Sequence, residues 1–167
     1  ASTAPTRALK VMAPTEGPVS AEATDDASRQ AAGHVAGLLG RVRDLMDAKA
    51  DELGRLDAIA GDGDHGIGMQ NGSRAAAEAA ASAAAADWGA GQVLTHAGDA
   101  WQDGAGGTSG ALWGTILRQL GQAIGNIGAP TQQSLTEGLR SAMDAVMEMG
   151  GAAPGDKTMV DALVPFT

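Results

Sequence analysis

The 167-residue chain contains no cysteine and no tyrosine, and its only aromatic residues are Trp88, Trp101, Trp113 and Phe166. The lack of cysteine excludes disulfides, thiolate metal sites and cysteine nucleophiles, and fits a reducing compartment. With so few aromatics, few β-branched residues and abundant alanine, there is little material for strands, and the expected fold is all-α. Basic residues are also scarce: 11 Lys and Arg stand against 20 Asp and Glu, a formal net charge of −9. That excess argues against a nucleic-acid partner. No apolar run reaches membrane-spanning length and the N-terminus lacks an uninterrupted apolar core, so no membrane association and a cytoplasmic location are expected. The length suits one domain with a real core.

What the chain does have is glycine and aspartate concentrated in one stretch. Leu56 to Gly72 carries Asp57, Asp62 and Asp64, the glycines at 61, 63, 66, 68 and 72, and no Lys or Arg. On a continuous helix Asp57 and Asp64 would share a face, and Asp62 would point away from both. Gly61 and Gly63 interrupt that geometry, because glycine is poor in a helix and free to take positive φ. A bent segment can then turn all three acids to one point, where their mutual repulsion calls for a cation. Hard oxygen ligands suit Mg²⁺ or Ca²⁺ better than zinc.

Several known motifs fail on this stretch. Gly61 to Gly66 spells G-x-G-x-x-G, but no strand precedes it, and two acids would repel a pyrophosphate. An EF-hand starting at Asp62 would need acidic ligands where Gly66 and Ser73 stand. No lysine follows Gly66 to make a Walker A loop. The plainest alternative is an acidic, glycine-rich surface turn.

A second stretch, Asp103 to Thr115, places Thr108 and Ser109 among Gly106, Gly107 and Gly110, ahead of Leu112, Ile116, Leu120 and Ile124 at helical spacing. It reads as a flexible loop opening into a helix whose free first amides, with two hydroxyls, form an anion site. An ordinary N-cap by Thr108 or Ser109 is the competing reading. The G-x-S-x-G spacing of a hydrolase nucleophile is absent.

The remainder reads as scaffold. Residues 1–24, with three prolines, read as a flexible linker or tail, and 25–167 as the domain. Apolar spacing predicts helices over Ser28–Lys49, over the alanine-rich Ser73–Ala86 and over Gly91–Trp101. Another helix is expected after a capping box at Ser134–Glu137, closing at Gly150 and Gly151, and a last one after Pro154. His34, His96 and Asp99 read as structural or solvated.

Charge links the two stretches. A nucleotide polyphosphate brings roughly −3 to −4 and the carboxylates −3 more, so direct contact would be strongly unfavourable. Two divalent ions and helix-terminal amides would supply the missing attraction.

Three blocks, Leu56–Met69, Gly106–Thr115 and Pro154–Pro165, in this order and spacing, resemble the nucleotide-binding L (Dak2, DhaL-like) domain of the dihydroxyacetone kinase family. The resemblance covers residue 28 to the end. It implies an antiparallel helical barrel or bundle, which here would lack its last helices. It also implies that Asp57, Asp62 and Asp64 hold two Mg²⁺ ions and that His65, Gly66, Ile67 and Gly68, with Thr108 and Ser109, line the phosphates of ATP or ADP. Gly150 and Met159 match positions bordering the adenine. No catalytic residue beyond these metal and phosphate ligands is implied. The family phosphorylates a small ketose, dihydroxyacetone or erythrulose, in glycerol metabolism. The ketose is held by a separate DhaK-like domain or subunit, in an assembly expected to be dimeric. The alternatives are a non-catalytic nucleotide-binding module that regulates a partner, and the ATP-binding domain of a fatty-acid-kinase relative, which carries Thr where this chain has His65.

Overall fold

The structure, a computed structural model, describes residues 23–167. The expected linker over residues 1–24 lies almost wholly outside them. The described residues form six α-helices and one 3₁₀ turn, with no strand among them: α1 (Asp26–Asp57), α2 (His65–Ala85), α3 (Ala90–Ala105), α4 (Gly107–Ile124), α5 (Gln132–Gly150) and α6 (Met159–Leu163), the 3₁₀ turn covering Val164–Phe166. The all-α expectation holds. None of these helices is long and apolar enough to cross a membrane.

Several boundaries differ from the sequence reading. The first helix runs on to Asp57 instead of stopping near Lys49, because Ala50–Gly54 still follows a helical pattern and its caps lie at Asp25 and Ala58. The alanine-rich helix begins at His65, so Gly66, Gly68 and Gly72 are helical. The expected flexible loop before α4 is the single residue Gly106. The fifth helix is capped by Thr131, with Ser134 as the return partner of the capping box, three residues ahead of the expected start. It does close at Gly151, a left-handed residue at φ 64°.

Consecutive helices pack side by side and antiparallel, with α1 touching α2 and α3, and α5 touching α4 and α6. The helices α1 and α5 do not meet, so they are the two edges of the described array. One apolar cluster joins α1–α4 through small side chains such as Ala32, Ala76, Ala80 and Ala97 around Val93 and Trp101. A second, around Ile116, Ala142, Val146 and Val160, fastens α5 and α6 to α4.

Glycines set how closely these helices approach. A Cβ on Gly91 would lie 2.6 Å from the carbonyl oxygen of Gly121, and one on Gly98 would lie 2.6 Å from that of Gly114. The two pairs stand seven residues apart on each helix, so α3 and α4 meet backbone to backbone along a seam. Arg118 lies across this seam, donating to Asp99, Gln102 and Thr115. At the other end, Asp25 caps α1 through the Ser28 amide and also accepts the amide of Gly128. Ser28 is buried and accepts the Ala90 amide, which ties the starts of α1 and α3 together.

Candidate functional site

The antiparallel order brings the end of α1, the start of α2, the end of α3, the start of α4 and the end of α5 to one end of the bundle. Both glycine-rich stretches lie there.

Asp57 is the last residue of α1, and its carboxylate folds the following turn onto itself. Its Oδ2 accepts the amide of Gly63 at 2.9 Å and that of His65 at 3.5 Å. The backbone must bend sharply to do this. The Gly61 amide returns to the Asp57 carbonyl at 2.6 Å, and Gly63 takes φ +84°. A Cβ on Gly61 would sit 2.6 Å from Asp57 Oδ1, so only glycine leaves room for the carboxylate. Asp62 Oδ1 accepts the Asp64 amide at 3.3 Å. Asp64 occupies the N-cap position of α2 but makes no side-chain cap bond, which leaves its carboxylate for other work.

As a result, one carboxylate oxygen from each of Asp57, Asp62 and Asp64 lies within 4.8 Å of the others. The Asp62 carboxylate, as hydrogen-bond partner first and as a like charge second, holds the Asp64 carboxyl above its ordinary pKa; burial and Asp57 add to this and His65 opposes it. Three hard oxygen donors gathered this closely fit a divalent cation of the Mg²⁺ kind.

Beside the acids a cleft of about 290 Å³ opens between α2 and the α3–α4 junction. Asp64, His65, Ile67, Gly68, Thr108 and Ser109 line it, so the structure brings the two stretches together across it. Gly106 and Gly107 both take positive φ, 65° and 60°, which turns the chain from α3 into α4 within one residue. The N-cap of α4 is Gly106 and there is no side-chain cap. Neither Thr108 nor Ser109 caps the helix, and the first-turn amides point out of the helix with both hydroxyls uncommitted. Amide dipoles and hydroxyl donors at this point attract an anion. No Lys or Arg is among the lining residues.

Three of the expected residues lie elsewhere. Gly66 is buried against α1, where a Cβ would come within 2.0 Å of the Ala50 carbonyl oxygen. Gly150 ends α5 in the open, and Met159 begins α6 packed against the second apolar cluster, both outside the cleft lining. Met69, Asn71, Trp101 and Ala105 line the cleft and were not singled out from the sequence. The i,i+4 spacing of Trp101 and Ala105 on α3 was the available signal. Trp101 is 3% exposed, fits the notch left by Gly72 and stacks on Trp113 at 5.6 Å. Its indole N–H has no hydrogen-bond partner among the described residues, so packing and ring stacking hold the side chain.

Replacing Ser109 with Val tests the anion reading of this turn. The variant is expected to keep its helical circular dichroism, while affinity for inorganic or nucleotide phosphate falls about tenfold through the lost donor. An unchanged affinity would remove Ser109 from the site.

Comparison with known proteins bears on this geometry. The family model of the DAK2 domain matches residues 59–167. The D-erythrulose kinase of Mycolicibacterium smegmatis is 51% identical over 151 residues, which are 90% of this chain and 26% of that kinase. The L-erythrulose kinase of Pectobacterium atrosepticum is 52% identical over 141 residues, 84% of this chain and 24% of that kinase. The chain therefore spans about a quarter of the length of these two erythrulose kinases. Its fold is similar to the crystal structure of the dihydroxyacetone kinase from C. freundii in complex with AMP-PNP and Mg²⁺. The TM-score is 0.59 at 28% identity, covering 97% of this chain and 28% of that one.

Proposed function

The chain belongs to the DAK2-domain family, and from that premise we propose that it is the nucleotide-binding domain of a ketose kinase, binding ATP or ADP with Mg²⁺. The observation that carries this reading is the meeting of Asp57, Asp62 and Asp64 beside the uncapped start of α4. Asp57, Asp62 and Asp64 would hold the metal, which when bound supplies positive charge to the phosphate oxygens. Two ions suit the charge arithmetic better than one, since the acids and a polyphosphate together bring roughly −6 to −7.

The chain's own residues do the rest by position. The amides of the first turn of α4 and the hydroxyls of Thr108 and Ser109 donate to phosphate oxygens. Gly68, Gly106 and Gly107 keep side chains out of the way, so backbone can approach the ligand. His65 and Ile67 wall the other side of the cleft. Gly150 and Met159, at the same end of the bundle, would border the base. The apolar and backbone surfaces exclude water, and the phosphoryl group is presented at an open mouth.

The acceptor ketose, dihydroxyacetone or erythrulose, would be brought by a separate ketose-binding domain within a dimeric, cytoplasmic kinase. The similarity to D- and L-erythrulose kinases over about a quarter of their length supports that division.

The test is calorimetry followed by turnover. This chain alone should bind Mg·ATP but release no ADP with dihydroxyacetone or erythrulose, because without the partner the acceptor hydroxyl is never placed. That positioning is worth roughly 7–11 kcal/mol of barrier. Adding the ketose-binding domain of a relative should restore turnover. Ketose-dependent turnover by the chain alone would overturn the division of labour, and failure to bind Mg·ATP would overturn the whole reading.

A further inference from the structure

Trp101 carries a buried side-chain donor that has no hydrogen-bond partner among the described residues. The residue is 3% exposed, yet it lines the cleft between α2 and the α3–α4 junction. Nearly every buried polar group in a folded protein finds a partner, and one that does not is held at a cost to the fold. Packing does not account for the choice of residue. The ring fills the notch left by Gly72 and stacks on Trp113 with 5.6 Å between centroids. A phenyl ring would offer the same kind of contact without burying an N–H.

The edge of the ring that carries the donor is the edge set beside the cleft. A Cβ on Gly72 would lie 2.5 Å from Trp101 Nε1, 2.6 Å from its Cδ1 and 2.9 Å from the Ala105 Cβ, so the pyrrole edge sits between α2 and Ala105. Ala105, one turn further along α3, lines the cleft, as do Gly68 and Asn71 on the turn of α2 ahead of Gly72. Gly106, Gly107, Thr108 and Ser109 follow at once, at the uncapped start of α4. The donor thus lies one turn below the point where amides and hydroxyls gather for an anion. At that edge Gly72 and Ala105 present no more than a methyl group to an approaching atom. An indole N–H donates and accepts nothing, so it matches an oxygen that only accepts, as an ionised phosphate oxygen does.

We infer that Trp101 is a phosphate-binding residue, its indole N–H donating to a polyphosphate oxygen of a nucleotide seated against the start of α4. The inference rests on the proposed nucleotide-binding function and adds to it a neutral donor from the floor of the cleft. A tryptophan kept for packing alone would give a different pattern, because its N–H would find no new acceptor when the nucleotide binds.

The experiment follows the indole N–H directly by ¹⁵N-resolved NMR of the wild type, titrated with Mg·ATP and with adenosine. The chain has three tryptophans, so single Trp→Phe variants at 88, 101 and 113 assign the resonances, any two of them by elimination if the third does not fold. The Trp101 indole proton should move downfield and exchange more slowly as Mg·ATP saturates, and should stay in place with adenosine. By calorimetry Trp101→Phe should bind Mg·ATP about tenfold more weakly, with adenosine affinity unchanged. An indole resonance unmoved by saturating Mg·ATP would overturn the inference. So would wild-type Mg·ATP affinity in Trp101→Phe, or equal losses for Mg·ATP and adenosine. In those cases saturation of the wild type by Mg·ATP leaves the nucleotide-binding reading standing. A wild type that binds no Mg·ATP would instead overturn that reading and this inference with it.

Discussion

Alanine at position 66 is expected to lower the melting temperature by roughly 6–12 °C, the equivalent of about 3 kcal/mol for a domain of this size. Gly66 is the second residue of α2 and is buried where that helix starts across α1. A Cβ there would lie 2.0 Å from the Ala50 carbonyl oxygen and 2.9 Å from the Gly54 amide nitrogen. Both belong to the backbone of a 32-residue helix, so no side-chain rotation can relieve the overlap. The first turn of α2 would have to lift away, carrying Asp64 and His65 from Asp57. The folded fraction of Gly66→Ala should accordingly lose metal-dependent nucleotide binding as well as stability. Gly37→Ala is the control: it also lies within a helix, but nothing stands within 4 Å of its Cβ position. Alanine there should raise stability by about 0.5–1 kcal/mol through helix propensity. Thermal unfolding followed by circular dichroism separates the two, and a Gly66→Ala variant that melts like wild type would refute the close-approach argument.

Asp64→Asn should have opposite effects on fold and function. The folded protein raises the Asp64 carboxyl pKa, chiefly through Asp62, so the fold binds this proton more tightly than the unfolded chain does. The sign follows from that. The stabilising contribution of the proton is complete below the ordinary carboxylate pKa and disappears as pH rises through the raised value. At neutral pH the ionised group repels its neighbours, and Asp64→Asn should leave the metal-free protein as stable as wild type or slightly more so. Its affinity for Mg·ATP should fall on the order of a hundredfold, because each of metal and polyphosphate offsets the charge that opposes the other. The same coupling predicts that the wild type binds Mg²⁺ alone and ATP alone weakly. It also predicts that Mg·ATP affinity declines as pH drops into the carboxylate range. Calorimetry across pH checks all three, and unchanged Mg·ATP affinity in Asp64→Asn would move the metal elsewhere.

The acid site was unusually legible before any coordinates. Asp57, Asp62 and Asp64 carry like charge within eight positions, with Gly61 and Gly63 between them, and that pattern has few uses other than gathering carboxylates. The α4 start was legible in part. Thr108 and Ser109 were singled out as donors, but the expected loop turned out to be one residue, because two successive positive-φ glycines turn the chain faster than a composition-based reading allows. Met69, Asn71, Trp101 and Ala105 went unnoticed because each looks like ordinary helix filler. They enter the cleft only through the relative rotation of α2 and α3.

Local chemistry accounts for what the chain alone determined: alanine-rich, apolar-periodic segments make helices, glycine pairs end them, and clustered acids call for a cation. These depend on propensity and charge within a few residues, so they can be read in one dimension. Helix separation and register depend on atoms far apart in the chain, and only the tertiary structure decided them. Nothing near Gly91 in sequence announces that it must meet Gly121, or that Gly66 must lie against Ala50. The glycines at 37 and 66 look alike in the sequence, yet one faces open space and the other a carbonyl oxygen. Steric exclusion and hydrogen-bond competition act between whole elements, and the packed fold is where those contests are resolved.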